Sequence, residues 1–155
     1  MSRREHETDM AKIKILIVDD HSIVRKGLIQ LINQEPDLVV CAEAENAERA
    51  LEAIEQQQVD LAIVDISLDG MNGVQLTQKI KTQHPHLPVL ILTMHAEPSY
   101  AKRAFQAGAR GYLTKQEAAE TIITAIRLML SGRDYISEKM AQKFLKNLHS
   151  AGSHC

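Results

Sequence analysis

The stretch ILIVDDHS, residues 15–22, decides the fold. Four apolar residues follow one another without a polar interruption, and two adjacent acids, Asp19 and Asp20, come directly after them. A strand with one wet face alternates, so an unbroken apolar run marks a strand covered on both faces. Two carboxylates side by side at the tip of such a strand repel each other. Either the pair is an accident of the surface or it holds a cation, and the residues further along the chain decide between the two.

Outward from this stretch, apolar runs recur as IKILIV (13–18), LVVCAE (38–43), LAIVD (61–65), PVLILT (88–93) and GYLT (111–114). Helical spacing lies between them. Val24, Gly27, Leu28, Leu31 and Ile32 form one stripe, and Ala47, Ala50, Leu51 and Ile54 a second. Val74, Leu76, Thr77 and Ile80 form a weaker third. The fourth, Ala101, Ala104 and Phe105, is thin, and the fifth is strong: Ala118, Ala119, Ile122, Ile126, Met129 and Leu130. Strand followed by helix, five times over, predicts right-handed crossovers and a parallel α/β sheet with helices on both faces. Gly70 and Gly73 punctuate the chain after the third strand, and Gly108 stands where a helix C-terminus expects glycine. Met140, Phe144, Leu145 and Leu148 are spaced as a sixth, amphipathic helix. The expected organisation is an N-terminal segment over 1–11, a domain over 12–132, a C-terminal helix or linker over 133–150, and a tail over 151–155 of cloning origin.

Composition narrows the function. The 155 residues suit one domain with a sizeable core, and 45% apolar with 25% charged residues is the balance of a soluble globule. A formal net charge of −2 gives no field favouring nucleic acid or a membrane surface. The polar N-terminus lacks the apolar centre of a signal peptide. With only Cys41 and Cys155, a disulfide framework is not expected and a reducing cytoplasm fits.

Ligands of open parallel sheets bind outside the carboxyl ends of the strands. Asp19 and Asp20 end the first strand, Asp65 the third, Thr93 the fourth, and Lys115 follows the fifth. Each alone has an ordinary reading: an aspartate as helix cap, a threonine as strand former, a lysine in water. Together they bring three carboxylates, a hydroxyl and an ammonium to one side of the sheet. Oxygen-only donors select a hard cation such as Mg²⁺, which relieves the mutual repulsion of the carboxylates. A carboxylate is also a nucleophile toward phosphorus, and a phosphoryl group in transfer needs partners for three charged oxygens. A metal, a lysine and a threonine meet that need. No nucleotide-binding glycine loop and no nucleophile elbow is present.

The residues ILIVDDH (15–21), VDISLDGMNG (64–73), VLILTMH (89–95) and AGARGYLTK (107–115) resemble the receiver domain of two-component response regulators, most closely the NarL/FixJ-like (LuxR-type) subfamily. The resemblance covers roughly residues 12–132. It implies a flavodoxin-like (CheY-like) doubly wound sheet of five parallel strands, (βα)5, with an extra C-terminal helix. It implies that Asp65 is the phosphoacceptor. Mg²⁺ is then held by Asp19, Asp20, Asp65 and the backbone carbonyl of Ser67, with Lys115 on the phosphoryl group and Thr93 and Tyr112 as the switch pair. The implied partners are a sensor histidine kinase and a second copy of the chain on phosphorylation.

The sequence departs from the family's pattern at Asp69, where proline is usual. The large Met94 follows the switch threonine, as is common in the subfamily. His95 and Ser67 hold positions that influence phosphoryl lifetime, and His21 reads as structural or solvated rather than as a metal ligand. Subfamily members usually carry a DNA-binding helix-turn-helix, and no basic recognition helix is visible here. The chain therefore reads as a receiver from a longer transcription regulator, not itself an enzyme or a nucleic-acid binder. The alternatives are a stand-alone receiver or a pseudo-receiver acting by protein contact. A phosphatase with an aspartate nucleophile is a further class, disfavoured because Asp65 has no second aspartate two residues on.

Overall fold

A computed structural model describes residues 12–94, 97–137, 140–143, 145 and 146. The expected segments 1–11 and 151–155, and the residues His95, Phe144 and Leu148, lie outside the described residues. The elements are β1 (Ile13–Val18), α1 (Ser22–Asn33), β2 (Leu38–Ala44), α2 (Ala47–Gln56), β3 (Leu61–Asp65), α3 (Gly73–Gln83), β4 (Val89–Thr93), α4 (Pro98–Gln106), β5 (Gly111–Thr114), α5 (Lys115–Leu130) and β6 (Tyr135–Ile136). The sheet is parallel throughout, in the order β2-β1-β3-β4-β5-β6. Strand order reverses at β1, which has β2 on one side and β3 on the other. That reversal opens the crevice in which doubly wound sheets hold ligands.

The apolar runs of β3, β4 and β5 and the ILIV of β1 are buried on both sides, as expected, whereas the edge strand β2 is mostly half-buried, with Leu38 and Ala44 alone fully covered within it. Within β1, Ile15 and Ile17 face a core built with Leu28 and Ile32 of α1 and Ala118, Ile122, Ala125, Ile126 and Met129 of α5. Leu16 and Val18 face the opposite core, with Ala47, Ala50 and Ile54 of α2, Leu76 and Ile80 of α3, and Ala101 and Ala104 of α4. Two stripe members differ from expectation: Gly27 and Ala119 are exposed. Helix α4 is held most lightly, since its fully buried side chains are two alanines against five larger and smaller residues on α5. Little apolar area anchors it, the condition under which an element shifts at small cost.

Glycine acts where helices stop. After α4, Gly108 takes φ 108°, and the amides of Gly108 and Ala109 return to the carbonyls of Phe105 and Ala104. After α5, Gly132 does the same at φ 92°, with Arg133 N–H donating to Leu128.

The sixth strand is an addition to the expected five. Beyond Gly132 the chain turns back beside β5, and Tyr135 N–H donates to the Arg110 carbonyl at 2.8 Å. Arg110 secures the turn by donating to the Gly132 carbonyl and to Asp134 Oδ1 at 2.6 and 3.1 Å. Ser137 then caps a helical segment: its Oγ accepts from Met140 N–H at 3.2 Å and its carbonyl from Ala141 N–H at 2.8 Å. Of the expected apolar stripe there, Met140 is fully buried, whereas Leu145 is 63% exposed.

Candidate functional site

The side chains at the carboxyl ends of the strands converge. Asp19 extends β1 by one residue, its N–H donating to the Ala44 carbonyl at 3.0 Å, and its side chain is fully buried. Asp65, the last residue of β3, is equally buried. Lys115 opens α5, where Thr114 caps the helix by accepting from Glu117 N–H. Its side chain runs back under the sheet's rim with 4% exposure. The ammonium lies 3.1 Å from Asp19 Oδ2 and 3.0 Å from Asp65 Oδ2, so one cation from β5 ties the tips of β1 and β3. Asp20 stands at the mouth, partly exposed. Three carboxylates face one ammonium, and the group keeps a net negative charge.

Asp19 Oδ2 is buried and makes no well-directed hydrogen bond, although the Lys115 ammonium lies 3.1 Å away. A buried carboxylate oxygen without a directed donor calls for another electropositive partner. Asp19, Asp20, His21 and Asp65 each offer a donor atom, all within 4.8 Å of one another. Oxygen donors predominate, which fits a hard divalent cation. The exposed Asp69 does not join this group.

Sequence reasoning read His21 as structural or solvated and Gly73 only as punctuation, and missed Arg25; all three border the site. His21 turns its Nδ1 into the group, 3.1 Å from Asp19 Oδ1, 3.0 Å from Asp20 Oδ1 and 3.1 Å from Lys115 Nζ. Its place directly after the acid pair was the available signal. Arg25 donates to the Asp19 carbonyl and to Glu43 Oε1, fixing the loop that carries both acids; nothing in the sequence joins Arg25 to Glu43. Gly73 brings the start of α3 against the end of β3. A Cβ there would lie 2.4 Å from the Asp65 carbonyl oxygen and 2.6 Å from Ile66 Cα. The Ser67 N–H donates to Asp65 Oδ1 at 3.1 Å, so this peptide also lies against the buried acid.

Thr93 ends β4 nearly buried, and Tyr112 of β5 is fully buried with its ring in the core. The Tyr112 hydroxyl makes no well-directed hydrogen bond. Burial pushes its pKa up to about 12, the nearby Thr93 hydroxyl opposing the shift only in part. The neutral phenol is favoured in the folded chain. Its contribution to stability is therefore complete below the ordinary tyrosine value of 10.0 and is lost as pH rises from there toward 12. In a spectrophotometric titration one of the three tyrosines is expected to ionise late, and Tyr112→Phe should remove that late step.

A small cleft of about 200 Å³ beside Thr93 and Ser67 runs toward Tyr100 and Arg103 on α4. A larger cleft, about 740 Å³, lies at the opposite end of the sheet among Lys12, Asp60, Lys81 and Arg110. The chemistry and the volume therefore lie at different ends.

The response regulator receiver domain family matches residues 15–127. The chain belongs to that family. The receiver is 34% identical over 135 residues to the transcriptional regulatory protein DegU of Brevibacillus brevis, covering 87% of this chain and 57% of that protein. It is 34% identical over 131 residues to the response regulator GacA of Pseudomonas syringae pv. syringae, covering 84% and 61%. The receiver thus spans about three-fifths of these relatives. Among solved structures, a LuxR-family two-component response regulator from Aurantimonas superposes with TM-score 0.84 at 35% identity, covering 88% of this chain and 97% of that one. The signal receiver domain of NarL from Mycobacterium tuberculosis gives 0.74 at 30%, covering 79% and 98%. These relatives make it a receiver of the NarL/FixJ type.

Proposed function

We propose that this receiver accepts a phosphoryl group on Asp65 from a sensor histidine kinase in a Mg²⁺-dependent step, and that the phosphorylated form changes its protein contacts to control transcription. The observation that carries this reading is Asp65 itself: fully buried at the end of β3, with the Lys115 ammonium at 3.0 Å and two further carboxylates beside it.

Asp19, Asp20, Asp65 and the Ser67 carbonyl would hold the cation, which would offset the negative charge of the carboxylates and of the incoming phosphoryl group. An Asp65 oxygen attacks phosphorus as the bond to the donor nitrogen breaks, and the nitrogen keeps the electron pair. Lys115, already against Asp65 Oδ2, meets the charge of one phosphoryl oxygen. Thr93 donates its hydroxyl to another. Tyr112 responds to the turn of Thr93, and the lightly held α4 moves with it, biasing an existing equilibrium between two arrangements. The receiver takes up the phosphoryl group stoichiometrically, assisting its own phosphorylation and dephosphorylation, and is not a turnover catalyst. The relatives extend well beyond the matched region and one is named a transcriptional regulatory protein, which supports an output region, separate from these residues, that acts on transcription. Among the described residues no helix is long and apolar enough to cross a membrane, and the reading places the chain in the cytoplasm. Self-association on phosphorylation is part of the same proposal.

Incubation with Mg²⁺ and acetyl phosphate, followed by intact mass spectrometry, tests the acceptor. A phosphoryl-sized increase is expected in the parent and none in Asp65→Asn. Equal labelling of both would move the acceptor elsewhere, and loss of labelling in the parent on chelation of Mg²⁺ is the expected metal dependence.

A further inference from the structure

The residues after α5 enclose the switch aromatic. In the β5–β6 ladder Tyr112 is paired with Ile136, and paired residues of neighbouring strands project to the same face. Ile136 and Met140 pack in the same apolar cluster as the Tyr112 ring, together with Ala101 and Ala104 of α4. The alanines of α4 are short, so the larger Ile136 and Met140 supply the bulk on that flank. Met140 is fully buried, and its position is fixed by the Ser137 cap and by the β6 ladder back to Arg110. The Tyr112 hydroxyl has no well-directed hydrogen bond to retain it. Packing therefore does most to hold the ring inward.

We infer that Ile136 and Met140 are positioning residues for Tyr112, so that the inward ring and the docked start of the C-terminal helical segment share one volume and move together. The inference rests on the proposed switch role of Tyr112. Interiors packed at crystal density do not stretch: a ring that leaves must be replaced, and a methionine that leaves uncovers the ring. The state of the phosphorylation site is then passed to the segment that leads out of the receiver by side-chain volume, without a change in α4 being required. Coupling of this kind is reciprocal, so the segment also biases the site.

Methyl NMR on the full chain labelled at the methionine methyl groups tests this, with Mg²⁺ and beryllofluoride as the phosphoryl mimic. Met140→Leu assigns the Met140 signal and keeps most of its volume. Met94, adjacent to Thr93 and 47% exposed, serves as the reporter of the site itself. In the parent both methyl signals are expected to shift on addition of the mimic. In Tyr112→Leu the Met94 shift should persist and the Met140 shift should be lost. A Met94 response with a silent Met140 in the parent overturns the inference and leaves the switch reading standing. A Met140 shift that survives in Tyr112→Leu also overturns it. Silence of both overturns the phosphorylation reading, and this inference with it. As the converse arm, Met140→Ala should slow phosphoryl incorporation on Asp65 several-fold, and Met140→Leu should restore it.

Discussion

Lys115→Met is expected to destabilise the chain by about 3 kcal/mol in Mg²⁺-free buffer, the usual consequence of removing one partner from a buried ion pair. The substitution keeps the stem and removes only the charge. Asp19 and Asp65, both fully buried, then face each other and Asp20 without the ammonium that stands 3.0 to 3.1 Å from them. Urea unfolding measures the loss as a fall in midpoint at unchanged slope. Added Mg²⁺ should recover part of it, because a cation bound by the folded state alone stabilises that state by mass action. On the proposed function the same variant also loses phosphoryl incorporation, and Mg²⁺ should not restore that, since the cation and the ammonium serve different oxygens. A variant as stable as the parent without Mg²⁺ would show that the lysine compensates nothing.

Gly73→Ala is expected to cost about 3 kcal/mol, the upper range for forcing an extra methyl into a packed site. The added Cβ would meet the Asp65 carbonyl oxygen at 2.4 Å, and that obstacle is backbone, not a side chain that swings aside. Helix α3 must retreat from β3 or the tip of β3 must bend. Either movement displaces the acid that the site is built on, so phosphoryl incorporation should fall along with the urea midpoint. Gly27→Ala is the matched control. Nothing lies within 4 Å of a Cβ there, on an exposed face of α1, and a gain of about 1 kcal/mol is expected from helix propensity. Equal outcomes at the two glycines would mean that the close approach at Gly73 has no energetic weight.

Much of this molecule was legible in the sequence because two strong signals coincide. Apolar runs without alternation, such as ILIV before Asp19 and LAIVD at 61–65, leave few alternatives to a covered parallel strand. The rule that ligands gather at the carboxyl ends then collected Asp19, Asp20, Asp65, Thr93 and Lys115 before any distance was known. Features that depend on contacts across the fold were not legible. A two-residue strand such as β6 is shorter than any periodicity. Gly73 reads as turn punctuation until the Asp65 carbonyl is found against it. The orientation of the His21 ring follows from a half-exposed rotamer at the mouth of the site, which spacing along the chain does not encode. Leu145 matches a helical stripe yet is 63% exposed, whereas Met140 of the same stripe is fully buried, a difference that spacing does not encode.

The short β6 has a consequence for where this domain can be cut. An open strand presents a row of unused amide and carbonyl groups, a template for pairing with another chain. Here β5 spends that capacity on Tyr135 and Ile136, and what remains outermost is a strand of two residues, too short to recruit a neighbour. A fragment ended at Gly132 would keep every carboxylate of the site yet leave β5 bare, an apolar ribbon ready to stack with its own kind. Fragments carried through the buried Met140 should therefore remain dispersed at concentrations where the shorter ones precipitate.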